Sequence, residues 1–133
     1  MNLKQFTNGY IAAALWSSVD DNGEPLDAIH APEDLPQQTR QAMENDCRKF
    51  FEENNDALWE YKDRRALPCP DIQYSAAECA GHDFWLTRCG HGAGFWDRGL
   101  GELGDKLSNA AEAFGNVDLY VGDDGKVHQE GAE

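Results

Sequence analysis

The chain has 133 residues, of which 41% are hydrophobic and 11% aromatic, and it carries a formal net charge of −14. This size and aromatic content suit one folded domain over residues 1–133 and exclude a disordered acidic tail. The acidity disfavours direct binding to nucleic acid or to an anionic membrane, which calls for clustered Lys and Arg, and it favours a basic protein partner.

No run of about 18 apolar residues is present, so no membrane span is expected. Met1 to Leu15 holds one Lys and the short apolar patch Tyr10–Leu15, with no small-residue cleavage site before Asp20. No secretory signal is expected, and the expected location is cytoplasmic. Cys47, Cys69, Cys79 and Cys89 include no Cys-x-x-Cys pair, which fits reduced thiols.

Helical spacing of Tyr10, Ala14 and of Ile11, Leu15 predicts a first helix over Phe6–Ser18, stopped by Asp20-Asp21-Asn22-Gly23. A loop follows to Pro32, from which Leu26 and Ile29 are expected to dip into the core. The longest helical pattern runs from Pro36 to Lys62, with Met43, Cys47, Phe50, Phe51, Leu58 and Tyr61 on one stripe. Asn54-Asn55 interrupts it, which predicts a break or kink. Pro70 is placed to open a short helix over Asp71–Cys79.

From Asp83 the pattern changes. Asp83–Arg88 and Gly94–Arg98 are rich in strand formers and are separated by Cys89-Gly90-His91-Gly92-Ala93, which predicts a β-hairpin. A helix over Leu100–Phe114 follows, capped at Gly115. The strand Val117–Val121, the turn Asp123-Asp124-Gly125 and a return strand over Lys126–His128 make a second hairpin. The expected class is α+β: N-terminal helices packed on a small antiparallel sheet, with hairpin–helix–hairpin in the C-terminal half.

Charge is unevenly spread. Residues 20–63 hold 13 acids and 4 bases, residues 99–133 hold 8 acids and 2 bases, and residues 64–98 balance at 4 and 4. The neutral centre contains the most distinctive segment, Gly81–Gly99. Period-two alternation there puts Asp83, Trp85 and Thr87 on one face and His82, Phe84, Leu86 and Arg88 on the other.

The runs His82-Asp83-Phe84-Trp85-Leu86-Thr87-Arg88 and Gly90-His91-Gly92-Ala93-Gly94-Phe95-Trp96-Asp97-Arg98-Gly99 resemble an uncharacterised family of small acidic proteins of tailed bacteriophages and prophages. So do Asn8-Gly9-Tyr10-Ile11-Ala12, Ala14–Ser18, Gly104–Leu107 and Asp118–Lys126, so the resemblance covers most of the chain. It implies a phage accessory role in the bacterial host cytoplasm and carries no activity with it.

Three readings of Gly81–Gly99 compete. In the first it only fixes a hairpin, with Asp83 or Asp97 paired to Arg88 or Arg98. In the second it is a contact surface using Trp85, Arg88, His91, Trp96, Asp97 and Arg98, since Trp and Arg are common interface anchors. In the third His82, Asp83, His91 and Asp97 form a metal site or the base of a small enzyme. Metal-ligand spacing, a His-Glu-x-x-His helix and a phosphate-binding glycine loop are all missing, so no cofactor, metal or catalytic residue is assigned.

Glu52, Asp56 and Glu60 form a carboxylate row at helical spacing, read either as a solvated face or as a mimic of nucleic acid phosphates. The function expected is non-catalytic binding of a host or phage protein, with a basic, nucleic-acid-binding protein as one candidate partner. An acidic inhibitor of a bacterial defence system (anti-CRISPR or anti-restriction) is one form of it. The alternatives are the small enzyme and a phage structural or regulatory component.

Overall fold

The computed structural model describes residues 2–20, 22–64, 75–90 and 93–130. Among the described residues it is an α+β arrangement in which five helices build the core and one two-stranded antiparallel sheet lies in the C-terminal part. No helix among the described residues is long and apolar enough to cross a membrane.

Helix α1 spans Leu3–Ser17, and the Asn2 side chain caps its start by accepting the Gln5 N–H. Phe6, Tyr10, Ile11, Ala13, Ala14 and Leu15 are buried along it. Beyond it the chain doubles back: Val19 bridges Pro25, Asp20 donates its N–H to the Glu24 carbonyl, and Asp20 Oδ1 accepts the Asn22 and Glu24 N–H groups. A 3-10 turn over Leu26–Ala28 then seats Leu26 in the core. Ile29, expected to join it, is instead 71% exposed. Ile29 lies past the end of the turn, at a cap position with φ −124° and ψ −30°, so it does not follow Leu26 inward.

The long apolar stripe is realised as two helices, α2 at Gln37–Glu53 and α3 at Asn55–Arg64. The break falls at Asn54, whose backbone N–H and side-chain Nδ2 both donate to the Phe50 carbonyl at 3.0 Å. An Asn side chain competing for backbone partners ends a helix in this way. Met43, Cys47, Phe50 and Phe51 from α2 and Leu58 and Tyr61 from α3 remain on the core side.

The first predicted hairpin does not form. Ala76–Arg88 is a helix, α4, opened by a reciprocal capping box between Ser75 and Glu78. Ten of its residues are buried, so it runs through the centre of the molecule. The physical reason lies in Phe84 and Trp85, which are 0% and 1% exposed. Neighbours on a strand point to opposite faces of a sheet, whereas a helix surrounded by other helices buries both. The predicted partner strand Gly94–Arg98 is a single 3-10 turn, Phe95–Asp97, whose Phe95 N–H donates to Thr87 Oγ1 at 3.1 Å. Residues 70–74 of the predicted short helix lie outside the described residues.

Helix α4 crosses α1 at very close range. A Cβ on Gly81 would stand 2.0 Å from the Phe6 carbonyl oxygen, and one on Gly9 would stand 2.1 Å from that of Glu78. Only glycine at both positions lets the two backbones meet. Around this crossing the aromatic core assembles. Phe84 stacks on Phe50 at 4.2 Å between ring centroids and meets Phe114 edge-on at 5.1 Å. Trp85 sits edge-on to Tyr10 at 5.3 Å.

Helix α5, Glu102–Glu112, buries Leu103, Leu107 and Ala111, and Gly115 follows it with φ +78°. Strands β1 (Leu119–Val121) and β2 (Val127–Gln129) pair with Tyr120 opposite His128. The Gln129 N–H donates to Thr39 Oγ1 at 3.2 Å, which ties the sheet to α2. The sheet is thus held at the edge of a helical core, and the second predicted hairpin is present.

Candidate functional site

The residues singled out between His82 and Arg98 separate into an internal set and an external set. Trp85 is internal, and its indole N–H donates to Ser17 Oγ at 2.7 Å. Arg88 is internal too, with 2% of its side chain exposed. Its Nη1 donates to Asp46 at 2.8 Å and to the Tyr10 hydroxyl at 3.1 Å. Its Nε and Nη2 donate to the carbonyls of Gly115 and Phe114 at 2.8 and 2.9 Å. One guanidinium therefore joins α1, α2 and α4 to the end of α5, where the carbonyls left over by the helix suit a cation.

Burial alone lowers the pKa of Arg88, but Tyr10 and Asp46 outweigh it and hold the guanidinium above its ordinary value. Burial drives the Tyr10 phenol far above its usual range, against the pull of Arg88. Tyr10 thus stays neutral and serves as a hydrogen-bonding post. Burial likewise pushes the Cys47 thiol well up. Cys47 and Cys89 are free thiols, and Cys69 lies outside the described residues.

Asp83 forms a second internal pair. It is fully buried and accepts from Arg98 through Nε at 3.1 Å and Nη2 at 2.7 Å, and from the Tyr61 hydroxyl at 2.8 Å. The fork of two N–H groups onto one carboxylate is the strong form of this contact. It clips α3 and the chain after the 3-10 turn to α4. The pairing of Asp83 with Arg98 is one that the sequence had offered among four combinations.

The external set is smaller. Trp96 is 52% exposed. Asp97 is exposed as well, and its Oδ1 accepts the Gly94 N–H at 3.2 Å, so the carboxylate caps its own 3-10 turn. His82 is half-buried on α4, and His91 lies outside the described residues. Among the described residues, no group of three His, Cys, Asp or Glu side chains gathers as metal ligands. As a contact surface the segment is therefore corrected: Trp85 and Arg88 face the core, because the residues form a central helix and not the open face of a hairpin.

The carboxylate row is external throughout. Glu52, Asp56 and Glu60 are exposed, but the break at Asn54 puts Glu52 on α2 and the other two on α3. Glu60 pairs with Arg64 at 3.0 Å, and Lys106 of α5 lines the same shallow depression as Glu52 and Asp56. The row is thus an interrupted, partly neutralised acidic edge and not an even ladder of charge.

The sequence reading missed the partners that make the internal pairs, Tyr10, Asp46 and Tyr61, and the exposed Trp16 and Ile29. The capping box Ser75-Ala76-Ala77-Glu78 was the legible signal for α4. No family model matches the chain, and no curated protein and no solved structure matches it.

Proposed function

We propose that the chain is a non-catalytic binding protein whose target is a basic surface of another protein. The observation that carries this reading is how the fold sorts its charges. Arg88 is spent on the half-buried Asp46, and Arg98 on the buried Asp83 and, at 3.6 Å, on Asp97, while Glu52, Asp56 and Glu60 stay on the outside of a chain with net charge −14. Such a surface attracts a basic partner over long range and speeds its encounter. The resemblance to small acidic phage and prophage proteins supports an accessory role in a bacterial host, with a nucleic-acid-binding defence component as a fitting partner class.

The test is capture of partners from a bacterial host lysate at low and high salt, with mass-spectrometric identification. A basic protein retained at low salt and released as salt rises is the expected outcome, because exposed charge is screened within roughly 10 Å at 0.1 M ionic strength. The informative variants are the triple change Glu52→Gln, Asp56→Asn, Glu60→Gln and the single change Trp96→Ala, all at exposed positions. Alanine at Trp85 or Arg88 reports on folding instead. Capture of acidic proteins alone, or of a partner indifferent to salt, refutes the reading.

A further inference from the structure

The largest exposures of apolar side chains occur together in the chain: Ile29 at 71%, Trp16 at 61% and Val19 at 56%. All three sit on the compact unit in which α1 ends and the chain doubles back. That unit is well tied. Leu26 donates its N–H to the Ser18 carbonyl at 2.9 Å, His30 donates to the Leu26 carbonyl at 2.8 Å, and buried Leu26 pins the whole to the core. The three apolar residues are therefore held with more than half of their surface open to solvent.

The stretch of chain that holds them carries one sign of charge. Among the described residues from Trp16 to Asp34 there are five carboxylates and no Lys or Arg. Asp20 caps the turn, and Asp34 accepts the Ala31 N–H and faces His30 at 3.3 Å. Glu24, Asp27 and Glu33 are exposed. Arg40 reaches this region from α2, where its Nη2 is held on the Pro32 carbonyl at 2.8 Å. The other exposed tryptophans differ: the Lys62 ammonium already lies 4.9 Å over the Trp59 ring, and Trp96 is followed closely by Arg98.

From this juxtaposition we infer that the unit from Trp16 to Asp34 is a docking surface for a cationic amphipathic segment of a partner protein. Apolar side chains of that segment seat on Trp16, Val19 and Ile29, and its Lys or Arg side chains face Glu24, Asp27 and Glu33. Aromatic and apolar anchors accompanied by charged side chains are the usual anatomy of such a contact. The charge complement selects a basic segment, since an acidic or neutral one gains nothing from the rim. This inference rests on the basic-partner reading above and gives it a location.

The experiment uses the full chain and three synthetic peptides of equal length: an amphipathic Leu/Lys helix, a Ser/Lys peptide of the same charge, and a Leu/Glu peptide. Binding is followed by fluorescence anisotropy of the labelled peptides. The Leu/Lys peptide is expected to bind at least about 10-fold more tightly than Ser/Lys, with no binding of Leu/Glu. Trp16→Ala combined with Ile29→Ala should bring Leu/Lys down to the Ser/Lys level while leaving the thermal midpoint unchanged, as both residues are exposed. Unchanged Leu/Lys binding in that double variant overturns the inference. If binding is lost instead in the Glu52→Gln, Asp56→Asn, Glu60→Gln variant, the basic-partner reading stands and the location is wrong. If neither Lys peptide binds the wild-type chain at low salt, both fail.

Discussion

Replacing Gly81 by Ala tests the α1–α4 crossing directly. In an ordinary helix this change stabilises by about 1 kcal/mol, because alanine is the better helix former. Here the new Cβ would lie 2.0 Å from the Phe6 carbonyl oxygen and 2.7 Å from the Tyr10 nitrogen, where an ordinary contact begins at 3.4 Å. Both obstacles are backbone, so no side chain can swing aside, and the helices must part. Overpacking of this kind costs roughly 1–3 kcal/mol or more, and its upper end applies to a backbone obstacle. After the gain in propensity, a net loss of about 2 kcal/mol remains, equivalent to a fall in melting temperature of roughly 6–12 °C for a domain of this size. Gly9→Ala should behave alike, and the double variant should lose less than the sum, because the second methyl enters a gap that the first has opened. Urea and thermal unfolding followed by circular dichroism measure all three. An unchanged or raised midpoint for Gly81→Ala would falsify the close crossing.

Three further outcomes follow from the internal pairs and the sheet. Arg88→Lys keeps the charge but offers one ammonium where four acceptors are now met, so it should cost about 2–4 kcal/mol in urea unfolding and speed hydrogen exchange in the last turn of α5. A loss near zero would mean that the fork geometry is immaterial. Arg98→Met should cost about 3–5 kcal/mol by leaving Asp83 buried without its guanidinium, and more than Asp83→Asn, after which the partly exposed Arg98 can turn to water. The opposite ranking would contradict the burial pattern. In the β1–β2 turn, hydrogen bonds from His128 and from the Lys126 N–H hold the Asp124 carboxyl below its ordinary range. A depressed pKa contributes stability that is complete above the unfolded value of about 3.9 and is lost as pH falls through the folded value. The Lys126 amide resonance should therefore titrate with a midpoint below that of an ordinary Asp, and a midpoint at or above it would refute the contact.

Much of the fold was legible in the chain. The amphipathic stripes of α1, α2 and α5, the break at Asn54 and the C-terminal hairpin each carry a local signal: helical period, a competing Asn side chain, or Asp-Gly turn chemistry. These signals are local because one face of each element meets water, so polarity alternates at the element's own period. The net charge of −14 was set by composition alone.

Helix α4 was decided by tertiary structure. Phe84, Trp85 and Thr87 are strand formers, and a helix buried on nearly all sides shows no polar face to betray its period. Burial from all directions overrode local preference, and the same burial decided the roles of the most distinctive residues. Trp85 and Arg88 read as surface anchors by residue type, yet the fold places them where a hydroxyl, a carboxylate and two helix-end carbonyls satisfy their donors. Trp16 and Ile29, which the periodicity and the loop pattern left unremarked or placed inside, were turned outward among carboxylates. Which side chain meets water depends on what packs around it, and only the assembled helices set that.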